Sequence, residues 1–196
     1  DRVVETDRSG LVAGYVGQTA MKTAAVIEEA MGGVLFIDEA YSLVQGDTGG
    51  DYGHEAVSTL IKAMEDYRGE FCVILAGYKN QMNEMLASNP GFQSRIQFTL
   101  DFPNYNRDEL GQIAALMLKA REYTASDAAK DRMLDITDHN RKEPNFANAR
   151  EMRNIIEQVI MCQNVRCAGN ADKTLELVDV NNYIKENHIN LLTSGE

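Results

Sequence analysis

The chain has few of the features that mark several large protein classes. Cysteine occurs three times in 196 residues, at Cys72, Cys162 and Cys167, an odd and sparse set that builds no disulfide framework. A reducing, cytoplasmic setting is the expectation. Basic side chains are outnumbered, 19 Lys plus Arg against 30 Asp plus Glu for a formal charge of −11, which disfavours nucleic acid as a partner held by bulk electrostatics. No apolar run approaches the ~20 residues that cross a bilayer, so no membrane partner is expected. His54, His139 and His188 are widely spaced and lack a matched carboxylate or cysteine pattern, which leaves a zinc site or a catalytic triad without support. Cys162 and Cys167 lie five apart on a predicted helix and so fall on different faces. Internal repeats and low-complexity segments are missing too. So is any Gly-x-x-x-x-Gly-Lys-Ser/Thr phosphate loop.

What is present is an alternation of strand and helix. Val3-Val4-Glu5-Thr6 is a β-branched run. From Gln18 to Met31 the residues Ala20, Thr23, Val26, Ile27, Ala30 and Met31 recur at helical spacing, and Gly32-Gly33 supplies the stop. Val34-Leu35-Phe36-Ile37 is uninterrupted apolar sequence of strand length, as expected of a strand covered on both faces. Residues 44–53, polar and glycine-rich, predict a mobile surface loop. A helix with an apolar stripe of Ala56, Val57, Leu60, Ile61 and Met64 follows, and then a second buried run, Phe71 to Ala76. A short helix carries Met82, Met85 and Leu86 and is terminated by Asn89-Pro90-Gly91. Ile96 to Phe102 predicts a last strand. Beyond Pro103-Asn104 the periodicity is helical only: Leu110 to Leu118, a weaker stretch around Met133 and Ile136, a long run from Met152 to Ile160, and a final short helix with Val180, Tyr183 and Ile184. The expected architecture is a parallel α/β lobe over residues 1–104 and a small all-α lobe over residues 105–196.

Chemistry is most legible at Asp38-Glu39. An acidic pair where a buried parallel strand emerges stands in the usual ligand position of an open α/β sheet. There an Asp can hold Mg²⁺ through water while the adjacent Glu, pointing the other way, polarises an attacking water.

The run Gly33-Val34-Leu35-Phe36-Ile37-Asp38-Glu39-Ala40-Tyr41 resembles the Walker B segment of AAA+ ATPases. Its wording is similar to the subfamily containing red-type Rubisco activase (CbbX/CfxQ-like) and stage V sporulation protein K. Further segments agree in order: Tyr15-Val16-Gly17-Gln18-Thr19, Asp51-Tyr52-Gly53, Leu75-Ala76-Gly77-Tyr78, Asn89-Pro90-Gly91-Phe92-Gln93-Ser94-Arg95, and Phe146-Ala147-Asn148-Ala149-Arg150 with Arg153-Asn154. They span the chain from about Val4 to about Val165. The resemblance implies a P-loop NTPase core that lacks its first strand and phosphate loop, followed by a helical lid.

The resemblance also implies an ATP hydrolase that uses ATP and Mg²⁺. Asp38 is the expected metal and nucleotide ligand, and Glu39 the activator of water. Arg95 is the expected arginine finger toward a neighbouring subunit. Arg150 is the expected lid sensor, with Arg153 the weaker candidate, and sensor 1 stays open between Tyr78 and Asn80. Tyr15, Val16 and Gly17 are the expected pore loop, gripping a substrate polypeptide inside a hexameric ring of self-associated subunits.

Asp1 in place of Met, together with the missing phosphate loop, predicts a fragment that begins after that loop and does not turn over ATP alone. Its sheet would be left with unpaired edges that favour association. Two functions fit the residues: a module of an ATP-driven protein remodeller, and an ATPase-like scaffold or regulatory module without turnover. Retention of Asp38, Glu39, Arg95 and Arg150 favours the first, because a scaffold has no chemical need for all four.

Overall fold

A computed structural model of the chain describes residues 2–15, 17–44, 52–143, 146–168 and 172–191. The glycine-rich stretch read as a mobile loop lies for the most part outside them. Two compact units divide the chain, Asp1–Asp101 and Phe102–Glu196.

In the first unit the elements run β1 (Val3–Thr6), α1 (Arg8–Leu11), α2 (Gln18–Ala30), β2 (Val34–Ile37), a 3-10 turn (Ala40–Leu43), α3 (Gly53–Asp66), β3 (Cys72–Leu75), α4 (Lys79–Ser88) and α5 (Pro90–Gln93). The strands form a parallel sheet in the order β1-β2-β3, with Val34 opposite both Val3 and Cys72. Parallel neighbours require crossovers, which α1 with α2 and then α3 provide. β2 is the middle strand. Its Leu35 and Ile37 are fully buried among Leu11 of α1 and Ile27, Ala30, Val57 and Leu60, the last four being residues that the helical periodicity assigns to the inner faces of α2 and α3.

Two expectations are corrected here. β3 was expected to be buried on both faces like β2, yet Cys72 is exposed and Ile74 is 44% exposed. Among the described residues it is an edge strand, with a ladder partner on one side only, and an apolar run alone does not distinguish a central strand from an edge. Residues 96–102, the expected last strand, join no ladder among the described residues, and Phe98, Leu100 and Phe102 are 84%, 79% and 86% exposed. A single extended segment has no backbone partners of its own, so alternation of side chains does not suffice to make a strand. Asn89-Pro90-Gly91 also does more than stop α4. Asn89 caps α5 by accepting from Gly91 N at 3.2 Å, with Pro90 at the first helical position, where its missing N–H costs nothing.

The second unit contains α6 (Arg107–Ala120), β4 (Thr124–Ala125), α7 (Asp127–Asn140), α8 (Ala149–Cys167), β5 (Thr174–Leu175) and α9 (Leu177–Glu186). A capping box starts α6: Asn106 accepts from Glu109 N at 2.9 Å, and Glu109 accepts from Asn106 N at 2.8 Å. The stretch around Met133 and Ile136, weak in the sequence, is a full helix whose inner face buries Met133, Ile136 and Thr137. The core is completed by Leu110, Met152, Ile155, Ile156, Val159 and Val180. No helix among the described residues is long and apolar enough to cross a membrane.

One buried charge ties α9 to α8. Asp179 has no exposed surface, and its carboxylate accepts from Arg166 Nε at 2.7 Å, Arg166 Nη2 at 3.0 Å and Glu176 N at 2.8 Å. Removing the carboxylate strands the guanidinium and an uncapped helix N–H together. Asp179→Ala should therefore lower the unfolding temperature of the second unit by about 4 °C or more, measured by thermal melts followed by circular dichroism. An unchanged melt would show that this network contributes nothing net.

Candidate nucleotide site

The carboxyl end of the sheet is assembled by backbone hydrogen bonds that continue one residue past each strand. Asp38 N donates to Thr6 O at 2.9 Å, Ala76 N to Ile37 O at 2.9 Å, and Ala40 N to Ala76 O at 3.0 Å. The chain leaving β2 is thus held from both sides as it turns. The turn is sharp: Glu39 adopts φ 46°, ψ 44°, a left-handed conformation uncommon outside glycine. Asp38 steadies it by accepting from Glu39 N at 2.9 Å. Both carboxylates are exposed. Asp38 borders an open hollow of about 520 Å³ that is also lined by Glu5, Thr6, Asp7, Ser9 and Gly10.

Behind Glu39 stands Tyr41, nearly buried in the 3-10 turn. Burial, and then the nearby negative charge of Glu39, push the Tyr41 hydroxyl above its ordinary range. It therefore stands as a neutral phenol beside Glu39. Its ring lies 6.4 Å from that of Tyr78 at a 43° tilt, and the fit between β3 and α4 requires Gly77: a Cβ there would stand 2.8 Å from both Tyr41 Cδ1 and Met82 Sδ. Tyr78, 57% exposed, precedes α4, and Asn80 lies exposed in its first turn. Asp38, Glu39, Tyr78 and Asn80 therefore share one end of the sheet.

The other candidates lie elsewhere. Tyr15 is 73% exposed and Gly17, at φ 76°, starts α2. Val16, part of the same expected pore loop, lies outside the described residues. Three side chains one turn apart on α2 hold the base of this loop. Thr19 Oγ1 accepts from Ala13 N at 3.0 Å, Thr23 Oγ1 donates to Leu11 O at 3.0 Å, and Lys22 Nζ reaches Ser9 O at 2.7 Å and Val12 O at 3.1 Å. Both threonines are fully buried, so Tyr15 projects from a fixed frame. Arg95 follows α5 with its side chain 25% exposed, 3.1 Å from Glu65. In the second unit, Arg150 and Arg153 are exposed in the first turns of α8. Asn148, at φ 52°, sets that start, accepting from Tyr105 N at 3.0 Å and donating to Asn104 Oδ1 at 2.9 Å.

Sequence reasoning did not find Tyr41, Thr19, Lys22, Thr23, Asn148 or Glu65. Most lie inside or beside the quoted motifs, but their roles depend on partners many residues away. Among the described residues no group of three His, Cys, Asp or Glu forms a metal cluster. Asp38 is suited to a different kind of cation site, one in which Mg²⁺ keeps most of its waters and is held by one carboxylate and the phosphates of a substrate.

Residues 1–104 match the model of the ATPase family associated with various cellular activities (AAA), and residues 106–188 match the AAA lid domain. The chain is 44% identical to a CfxQ homolog of Pyropia yezoensis over 173 residues, covering 88% of this chain and 58% of that protein. It is also 44% identical to stage V sporulation protein K of Bacillus subtilis over 167 residues, covering 84% and 52%. The chain thus spans little more than half the length of these relatives. The fold is similar to the Thermotoga maritima RuvB Holliday junction branch migration motor, with a TM-score of 0.69 at 18% identity over 96% of this chain and 54% of that one. On these matches the chain belongs to the AAA ATPase family, with a parallel-sheet core and a helical lid.

Proposed function

We propose that the chain is the larger part of one module of an ATP-driven protein remodeller that works as a cytoplasmic hexameric ring. The observation that carries this reading is the Asp38-Glu39 turn at the end of β2, where two adjacent carboxylates are exposed on a left-handed turn that Asp38 steadies. Asp38 would hold Mg²⁺, which would neutralise charge on the β- and γ-phosphates of ATP. Glu39, on the left-handed turn beside Asp38, accepts a proton from the attacking water. Tyr78 or Asn80 senses the γ-phosphate from the neighbouring strand end.

Arg95 acts on the nucleotide of the adjoining subunit, where a guanidinium stabilises charge on the transferring phosphoryl group. Arg150 reports the nucleotide to the lid. Two arginines in the first turns of a helix oppose its dipole, an arrangement that an anionic ligand relieves. Tyr15, with Val16 and Gly17, grips substrate polypeptide. An aromatic on a fixed loop packs against any extended chain with little preference for its sequence, so this module selects polypeptide as a class.

In the complete protein, Glu39→Gln keeps the shape of the side chain and removes the base. Turnover should fall by about 10²-fold or more while ATP binding is retained, as read by steady-state phosphate release and by titration with a fluorescent nucleotide. Near-normal turnover would remove Glu39 from the mechanism. The 196 residues alone contain no phosphate-loop motif, and so lack the backbone amides and Lys that hold phosphates. Isothermal titration of this chain with Mg-ATP should show no binding at micromolar concentration. Micromolar affinity would mean that other groups supply the cradle.

A further inference from the structure

Resting on the reading of Arg95 as a finger, we infer that Glu65 is its positioning residue, holding the guanidinium on its own subunit until a neighbour's phosphate displaces the carboxylate. Glu65 lies in the last turn of α3 and Arg95 just past α5. The two elements pack closely: a Cβ on Gly91 would stand 3.0 Å from Cδ1 of Ile61, and Ile61 precedes Glu65 by one turn on the same face.

Within its own chain Arg95 is already engaged. Nη1 donates to Gly91 O at 3.1 Å and to Ser94 Oγ at 3.2 Å, and Nη2 lies 3.1 Å from Glu65 Oε2. A finger stabilises a transition state through uncompensated positive charge, and a carboxylate on the guanidinium cancels that charge. The bound position is therefore a resting one.

Three features make the hold reversible. Glu65 is 48% exposed, so water screens the pair and keeps it weak. A carboxylate at a helix C-terminus opposes the dipole, which leaves it dependent on cationic partners. Finally, Glu65 has a second partner, Arg68, whose Nη2 lies 3.0 Å from both carboxylate oxygens. When Arg95 leaves, Glu65 stays neutralised by Arg68 and no bare charge is created. A phosphate, carrying more charge and three acceptor oxygens, outcompetes a single shared carboxylate.

The test uses rings of the complete protein with assembly confirmed by light-scattering mass. Glu65→Gln removes the charge, and Glu65→Asp keeps it but withdraws its reach. Both should raise kcat for ATP about two- to fivefold, the factor a weak exposed ion pair is worth, with KM unchanged because the finger acts in the transition state. Two variants also guard against one failing to assemble. Arg68→Gln should give no gain, and Glu65→Gln added to Arg95→Ala should give none over Arg95→Ala alone. Unchanged or lowered kcat in both Glu65 variants, with Arg95→Ala still disabling the neighbouring site in mixed rings, would overturn the role of Glu65 and leave the finger standing. If Arg95→Ala leaves neighbouring sites active, the finger reading falls and the Glu65 proposal falls with it.

Discussion

The arrangement of the first unit depends on how β2 leaves the sheet. A strand flanked by parallel partners has its backbone groups taken on both edges, and here the hydrogen bonds continue past Ile37 to Thr6 on one side and to Ala76 on the other. The chain cannot drift as it exits. It turns within one residue, at Glu39, whose left-handed backbone is the strain that such a turn stores. The two carboxylates are separated by this turn, and Asp38 borders the hollow by β1 while Glu39, on the left-handed residue, does not line it. Two identical charges on adjacent residues have different surroundings because the backbone between them is fixed.

The loops around the sheet follow the same logic of fixed bases with exposed tips. The Tyr15 loop is anchored by buried threonine hydroxyls on α2, each satisfying one loop backbone group. These bonds cost little, since every polar atom involved finds a partner. The segment after α4 is anchored on α3 through Ile61 and Glu65. Both loops are thereby tied to the helices that pack beneath β2, and a shift of either helix carries its loop as a unit. In the second unit, Asn148 does comparable work through side-chain bonds to the segment that leads into α6.

Much of this was legible without coordinates. The uninterrupted apolar run Val34–Ile37, the acids that end it and the glycine pair before it mark a parallel strand and its ligand end, because burial on both faces leaves no polar position in a strand. Helical spacing identified the inner faces of α2, α3 and α8, since a period of 3.6 residues is imposed by the backbone itself. The ordered motifs reached further, to the family, its lid and the candidate roles of Asp38, Glu39 and Arg95.

Tertiary structure alone decided the rest. Phe71 to Ala76 and Val34 to Ile37 look alike as apolar runs, yet one is a half-exposed edge and the other the buried centre, because position in a sheet is a property of neighbours and not of the run. Residues 96–102 alternate as a strand should but lack a partner among the described residues, and a ladder needs two chains. Arg95 looks like an unattached cation in the sequence, whereas the fold brings Glu65 to it from thirty residues away. Local periodicity and motif order determined most of the elements and the family they belong to. The pairing of groups distant along the chain determined which of those elements are covered and which charges are already spoken for.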